Sequence, residues 1–501
     1  MDGTIGSKAL VKKTELVRVI TDTLISLGFN NIATDLENLS GVNLLDPLIK
    51  NFLNLAKNKE WNNCIKLLEE EEGLQVRDHN TARFLLLEQN FLNFLKDDNL
   101  DEALHTLQEE MTPLGVEESR LVMLSSKLVF QDHSGDDNAE EVVRKLKKVF
   151  LPGVIVPEGR LVHLLEESLD LQRSKCGFHN VPDSDLSLCF DHHCAKSKIP
   201  SRTVQVLVGH ADEVWFLKFS HNGEYLASSS RDKSAIIWET NAEGRFVIKH
   251  RLVGHEKPVV IVLWSPDDKQ VITCGENEVI KRWDVVSGQC VQTYERVGVG
   301  SFSCGWLHDG SGIIGAMADK RIYLWNLDGS EVEHEQGQRA QKISDVVMTS
   351  DGKWIVSVGK EQDQISLFDR VTRAETVIQA GNMVTSFCLS SDNKYLLVNL
   401  VAEEIHLWDI VGEPGKVGEF IGHKRTRFII RSCFGGYREK FIASGSEDSK
   451  VYIWKTESEM RPCLVLLGHG RAVNCVDWNP TDLHMLASGS DDRTIRVWGL
   501  E

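Results

Sequence analysis

The stretch Gly468–Trp498 reads GHGRAVNCVDWNPTDLHMLASGSDDRTIRVW. A Gly-His pair opens it and apolar residues then alternate with polar ones. An acidic residue, Asp492, marks a turn, and six positions later an apolar run closes on an aromatic, Trp498. Alternation with period two is the pattern of β-strands. Back along the chain, the closing aromatic recurs at Trp454, Trp408, Phe368, Trp325, Trp283 and Trp238, at intervals of 40–46 residues. The Gly-His pair recurs at Gly209-His210, Gly254-His255 and Gly422-His423, and the acidic turn residue at Asp232, Asp319 and Asp448. A fixed period of that size is the signature of a repeat architecture, whose units cover one another's apolar faces.

The pattern resembles the WD repeat. That resemblance implies seven four-stranded blades around a central channel over residues 203–501. In three repeats the polar residues are spaced to form a buried chain: His210, Ser228, Asp232 and Trp238; His423, Ser444, Asp448 and Trp454; His469, Ser488, Asp492 and Trp498. By resemblance to the family, the aspartate holds the imidazole, which bonds the hydroxyl, which bonds the indole N–H. Such a network survives burial only when every member is satisfied. A His/Ser/Asp trio also fits a hydrolase, but its recurrence in separate repeats, beside a tryptophan, marks it as structural. Repeats three to five lack the Gly-His pair, and Asn277, Gln362 and Ala402 stand where the acidic turn residue is expected. The run Thr203–Leu207 alternates apolar residues and is expected to supply the outer strand of the last blade, removing two sheet edges.

Before residue 200 the apolar period changes to three and four, so the fold class is multidomain, an α-helical half followed by an all-β half. Thr14–Leu27 reads as a helix with Leu16, Ile20, Leu24 and Leu27 on one stripe, capped by Gly28. Asn31–Leu39 reads as a second helix with Ile32, Leu36 and Leu39 inward. Two helices this short bury too little to stand alone and call for a partner. Asp46-Pro47 is an N-cap followed by proline at the first helical position. Helical patterns follow over Pro47–Ala56, Glu60–Glu70, Thr81–Leu95, Leu100–Glu110, Glu117–Phe130, Ala139–Phe150 and Pro157–Leu171.

Glu15–Val42, with its Leu27-Gly28-Phe29 turn, resembles a LisH motif, assigned to residues 14–46. Residues 47–104, ending in Asn99-Leu-Asp-Glu-Ala-Leu104, resemble a CTLH motif, and residues 105–173 the associated CRA region. The order LisH, CTLH, CRA, WD propeller resembles the WD-repeat-26-type (Gid7-like) subunits of CTLH/GID ubiquitin ligases. The resemblance implies a scaffold that self-associates through LisH, assembles with sister subunits including RING-bearing ones, and recruits substrates or regulators through its propeller. For the self-association face it points to Leu16, Ile20, Leu24, Leu27 and Phe29. No enzymatic constellation and no cofactor are expected. Competing readings are a signalling scaffold for G-proteins or the cytoskeleton and a cullin-ligase substrate receptor. For the latter only Phe368-Asp369-Arg370 approximates the docking pattern.

The net charge of -18 is spread over both halves, -11 before residue 201 and -7 after it, which argues against nucleic acid as partner. No apolar run is long enough to span a membrane, Met1–Leu10 has no signal-peptide core, and Asp2 excludes myristoylation; a cytoplasmic or nuclear protein is expected. Yet basic residues cluster near the Gly-His loops. Lys257, Arg425 and Arg471 each lie two after the histidine, and Arg231, Lys424 and Arg427 are close by. They suggest a rim that captures an acidic protein segment. Residues 174–202 are polar and weakly periodic and read as a linker. Within it Cys176, His179, Cys189 and His192, with His193 and Cys194, have spacings a zinc site could use. They fit no standard zinc module, so small buried cysteines, solvated histidines and no metal are expected.

Overall fold

The computed structural model describes residues 4–5, 10–70, 72–116, 118–130, 138–151, 153–296, 299–334, 343–359, 363–457 and 460–500. The chain divides into two compact units, Met1–Leu171 and Gln172–Glu501. Among the described residues no helix is long and apolar enough to cross a membrane. Gln362 lies outside them.

The first unit is helical: α1 (Lys13–Ser26), α2 (Asn30–Ser40), α3 (Pro47–Lys57), α4 (Trp61–Glu70), α5 (His79–Lys96), α6 (Leu100–His105), α7 (Glu118–Phe130), α8 (Ala139–Lys147) and α9 (Arg160–Lys175), whose end reaches into the second unit. Helices α1 and α2 form a hairpin that turns at Gly28, where φ is 87° and only glycine sits without strain. Ile32 and Leu39 do not face inward as the sequence suggests; Leu39 is 88% exposed. The inner stripe is instead Ala33, Leu36, Glu37 and Ser40, of which Ala33 alone is fully buried. Arg18 ties the hairpin to the rest of its unit, donating to the carbonyls of Leu44 (3.0 Å), Gly153 (2.8 Å) and Val154.

Asp46 caps α3 by accepting from the Leu48 N–H at 2.9 Å, with Pro47 in the first turn. One core joins Ile49, Phe52, Trp61, Leu68, Leu86, Val142 and Leu146; a second joins Phe84, Phe91, Leu95, Met111 and Leu124. Helix α5 serves both, since its apolar residues occupy two faces. The expected single helix over Leu100–Glu110 is broken: α6 passes into a π turn at Thr106–Met111, and Thr112 bonds back to the Leu107 carbonyl at 2.7 Å.

The second unit is a propeller of seven four-stranded antiparallel sheets. The innermost strands are Val214–Phe219, Val259–Trp264, Ser301–Trp306, Ile343–Met348, Val384–Leu389, Ser432–Gly435 and Val473–Trp478. Each recurrent aromatic sits in the third strand of its blade. The last blade is closed by Arg202–Val208, paired antiparallel with Thr494–Gly499 so that Leu207 lies opposite Ile495. Both ends of the ring are thereby covered and no blade is left with a dangling partner strand.

The segment 174–202 is not the free linker its composition suggests. Ile199 is fully buried in a core shared with Phe441, Trp478 and Trp498, and Cys176, Val181 and Cys194 form a small core of their own. The Asn180 carboxamide donates to the carbonyls of Lys198 (2.9 Å) and Leu483 (2.8 Å) and accepts from the Tyr437 N–H (2.9 Å). These anchors are single residues at irregular spacing, so they leave no periodic trace.

Candidate functional site

In blade one, His210 Nδ1 lies 3.0 Å from Asp232 Oδ2, its Nε2 2.9 Å from Ser228 Oγ, and Trp238 Nε1 donates to the same Oγ at 2.9 Å. Blade seven repeats this with His469, Asp492, Ser488 and Trp498, each contact at 2.8 Å. Burial opposes ionisation of Asp232 and Asp492. Hydrogen bonds from the histidine, from Ser234 or Thr494, and from the Ala211 or Gly470 N–H outweigh it and hold both carboxyls well below the usual range. Ser228 and Ser488 are fully buried, so neither hydroxyl faces a substrate.

Blade six does not assemble its expected chain. Asp448 accepts from the Tyr452 hydroxyl (2.8 Å) and pairs with Lys450 (3.1 Å); Trp454 Nε1 donates to the Ile421 carbonyl (3.1 Å) and Ser444 to the Gly445 carbonyl (3.0 Å). His423 Nδ1 has no hydrogen-bond partner among the described residues, and the ring packs edge-on against Trp454 at 5.7 Å. The cause is local: blades one and seven place Ser234 and Thr494 two after the aspartate to orient it, whereas Lys450 and Tyr452 draw Asp448 away. Blade two corrects the expectation in the other direction. Its carboxylate is Glu278, the neighbour of Asn277, whose longer side chain reaches His255 Nδ1 at 2.8 Å. Thr273 then bridges His255 Nε2 and Trp283 Nε1, both at 2.8 Å.

The loops that carry outer strand to next inner strand define one face of the ring. On it Arg231 is neutralised by Glu213 (3.1 Å) and Asp212 (3.8 Å). Arg425 is only 3% exposed and spends its guanidinium on the Phe428 and Leu400 carbonyls, both at 3.1 Å; burial pulls it down to about 10. Neither is a free rim charge. Lys257 donates to the Asn277 carbonyl at 3.2 Å, while Lys424, Arg427 and Arg471 are exposed. Glu447 organises the loop entering blade six: it accepts from the backbone N–H of Thr426 (2.6 Å), Arg427 (2.6 Å) and Phe428 (3.0 Å). Burial opposes its charge, but these bonds and the Thr426 hydroxyl hold it down at about 2. The same loop leaves Phe428 and Ile429 in solvent beside Arg427. The sequence reading missed both, since Arg-Phe-Ile-Ile looks like the start of a buried strand.

In the helical hairpin only Thr21 and Ala33 are buried among the described residues. Leu16, Ile20 and Leu24 are half-buried, Leu27 is 65% exposed, and Phe29 and Ile32 are exposed as well. Of the stripe expected to pair with a partner, only the turn end, Leu27 and Phe29, is thus an open apolar surface on this unit.

Residues 2–46 match the WDR26 Lis-homology domain, and residues 201–239, 246–284, 415–455 and 460–499 match the WD domain, G-beta repeat. A WD repeat-containing protein 26 homolog of Arabidopsis thaliana is 53% identical over 100% of this chain and 86% of its own length. The chain belongs to the WD repeat-containing protein 26 family. A homolog of the same name in Drosophila melanogaster is 32% identical over 97% of this chain and 80% of its own length, and GID complex subunit 7 of Schizosaccharomyces pombe is 33% identical over 77% of each. The four G-beta spans are those that carry a Gly-His pair. In this member of the WD repeat-containing protein 26 family two ion pairs join different blades: Arg431 Nη1 to Asp345 at 2.8 Å, between blades six and four, and Lys218 Nζ to Asp477 at 2.7 Å, between blades one and seven. A cavity of about 530 Å3 lies beside the second pair, lined by Trp264, Cys388, Cys433 and Trp478.

One further cluster could hold a metal. Cys176, His179, His192 and Cys194 bring one ligand atom each to within 4.8 Å of one another. Cys189, which the spacing had grouped with them, is exposed. His179 and His192 are not both solvated as expected, for His179 is buried.

Proposed function

We propose that this chain is a non-catalytic scaffold subunit of a GID/CTLH-type E3 ubiquitin ligase, promoting ubiquitination through protein–protein contacts alone. The observation that carries the reading is its 33% identity to a GID complex subunit over 77% of both chains. Three physical features support it. The hairpin presents Leu27 and Phe29 to solvent, a surface that a second copy would cover. Helix α9 buries none of its residues, and α7 exposes Val122, Val129 and Phe130, so the CTLH–CRA segment (residues 47–173) has open faces for sister subunits, RING-bearing ones included. The hydroxyls that resemble nucleophiles are sealed inside blades.

On the propeller, Lys257, Lys424, Arg427 and Arg471, with Phe428 and Ile429, form the surface that captures an acidic segment of a substrate or regulator carrying an apolar anchor. The test is affinity purification of the full chain beside two variants. Leu27→Glu with Phe29→Glu should abolish self-association by light scattering. Arg427→Glu with Phe428→Ser should keep RING-bearing partners and lose substrate. Recovery of no RING-bearing partner by the intact chain refutes the reading.

A further inference from the structure

We infer that Cys176, His179, His192 and Cys194 form a structural zinc site that fastens the chain to the propeller where the helical half ends. This inference stands independently of the ligase reading. The four residues sit in the spacing Cys-x2-His-x12-His-x-Cys, and the turn between the two pairs folds them together. His179 Nδ1 lies 2.8 Å from His192 Nε2, Cys194 Sγ lies 3.1 Å from the same nitrogen, and the Cys194 N–H points at Cys176 Sγ at 3.1 Å. His192 Nε2 therefore has two polar neighbours but offers one proton or one lone pair. His179 is 1% exposed and its other nitrogen has no hydrogen-bond partner among the described residues. Two thiols and two imidazoles are thus gathered in a largely buried place with little but one another to bond to. A cation would take one ligand atom from each of the four.

The donor set selects the ion. Two sulfurs and two imidazole nitrogens suit zinc, whereas calcium and magnesium take oxygen. Tetrahedral zinc with bonds of about 2.3 Å to sulfur and 2.0 Å to nitrogen sets its ligands about 3.3–3.8 Å apart. No pair here exceeds 4.8 Å and the closest is 2.8 Å, so side-chain adjustments of about 1 Å complete the shell. Four protein ligands leave no open position, which makes the site structural rather than catalytic. The carboxamide of Gln172 accepts from the His192 N–H at 2.9 Å and holds the second pair of ligands in place.

Its location gives it a task. His179 stacks edge-on against Tyr437 at 5.5 Å, and its neighbour Asn180 makes the bonds that pin the segment to the turns at Tyr437 and Leu483. Asp183 binds both Arg173 (3.1 Å) and Arg438 (2.8 Å). The small core of Cys176, Val181 and Cys194 is too slight to hold an irregular segment by itself, and small folds of that kind are often stapled by metal.

The full chain, purified without chelator, should carry one zinc by elemental analysis, and the Cys176→Ser/Cys194→Ser variant should lose it. Cys189→Ser and Cys290→Ser, which alter exposed thiols, should retain it. Should the double variant misfold, cobalt exchanged into the intact chain provides an independent readout: visible bands of a tetrahedral S2N2 site are expected. Three results would overturn the inference: no stoichiometric metal in the intact chain; a Cys176–Cys194 disulfide, seen as an intact mass lighter by two hydrogens; or zinc whose retention depends on Cys189 rather than Cys194.

Discussion

Replacing Ser488 by alanine tests the blade networks against a built-in control, Ser444. Both serines are fully buried at corresponding points of neighbouring blades, and either substitution removes one oxygen. Ser488 Oγ accepts from Trp498 Nε1 and donates to His469 Nε2, each at 2.8 Å. Ser488→Ala therefore strands two buried groups, at roughly 1–3 kcal/mol each, or about 3 kcal/mol together once some relaxation is allowed. Ser444 only donates to the Gly445 carbonyl, so Ser444→Ala should cost about 1 kcal/mol. Of the twelve tryptophans only Trp61 precedes residue 172, so urea unfolding followed by intrinsic fluorescence reports the propeller almost alone. With a slope near 3 kcal/mol per molar, Ser488→Ala should lower the midpoint by about 1 M and Ser444→Ala by about a third of that. Equal shifts for the two would refute the reasoning, because they would mean that the completed network stabilises no more than an isolated hydroxyl.

Burial first, and the nearby Arg425 charge second, push His423 down to about 4. Between pH 6.5 and 4 the unfolded chain then binds a proton that the folded blade refuses, so stability falls as pH drops through that window and is flat above it; at low pH this histidine alone costs about 3 kcal/mol. His423→Gln should flatten the profile by one proton, read from urea midpoints across pH. Arg425→Ala should destabilise by about 2 kcal/mol in thermal melts, since it empties a buried site and frees two carbonyls, whereas Arg427→Ala should leave the melt unchanged. Leu207→Ala, in the strand that closes the ring, should cost about 2–5 kcal/mol and raise protease cleavage near residue 202, because the cavity opens between Leu207 and Ile495.

The ring was legible because its code is redundant. An aromatic in every third strand, a turn before it and a 40–46 residue period each name the same architecture, and losing the Gly-His pair in three repeats did not erase the others. What could not be read were features decided by one competing side chain. Glu278 replaces a missing aspartate from the next position along, and Tyr452 captures Asp448 although every residue of the expected chain is present. Arg425 shares its place in the repeat with Lys257 and Arg471, yet it turns inward because two carbonyls lie within its reach. Spacing records which residues can meet; it does not record which of several partners wins. The segment after α9 shows the same limit, since its ligand-bearing residues come together through a turn with no period at all.

The two units differ in what they leave unfinished. In the propeller every sheet has four strands, the first and last blades are joined, and ion pairs tie blade one to seven and blade four to six. Its exposed apolar residues are scattered along outer strands or held at a loop tip such as Phe428-Ile429. The helical unit has two good cores around α5, yet Leu27, Phe29, Leu39, Val129 and Phe130 stand in water on its hairpin and on α7. At roughly 25 cal/mol per Å2, covering such surfaces yields several kcal/mol. Stability of the ring should therefore be independent of protein concentration. On the proposed self-association, protection of the hairpin from hydrogen exchange should rise with concentration.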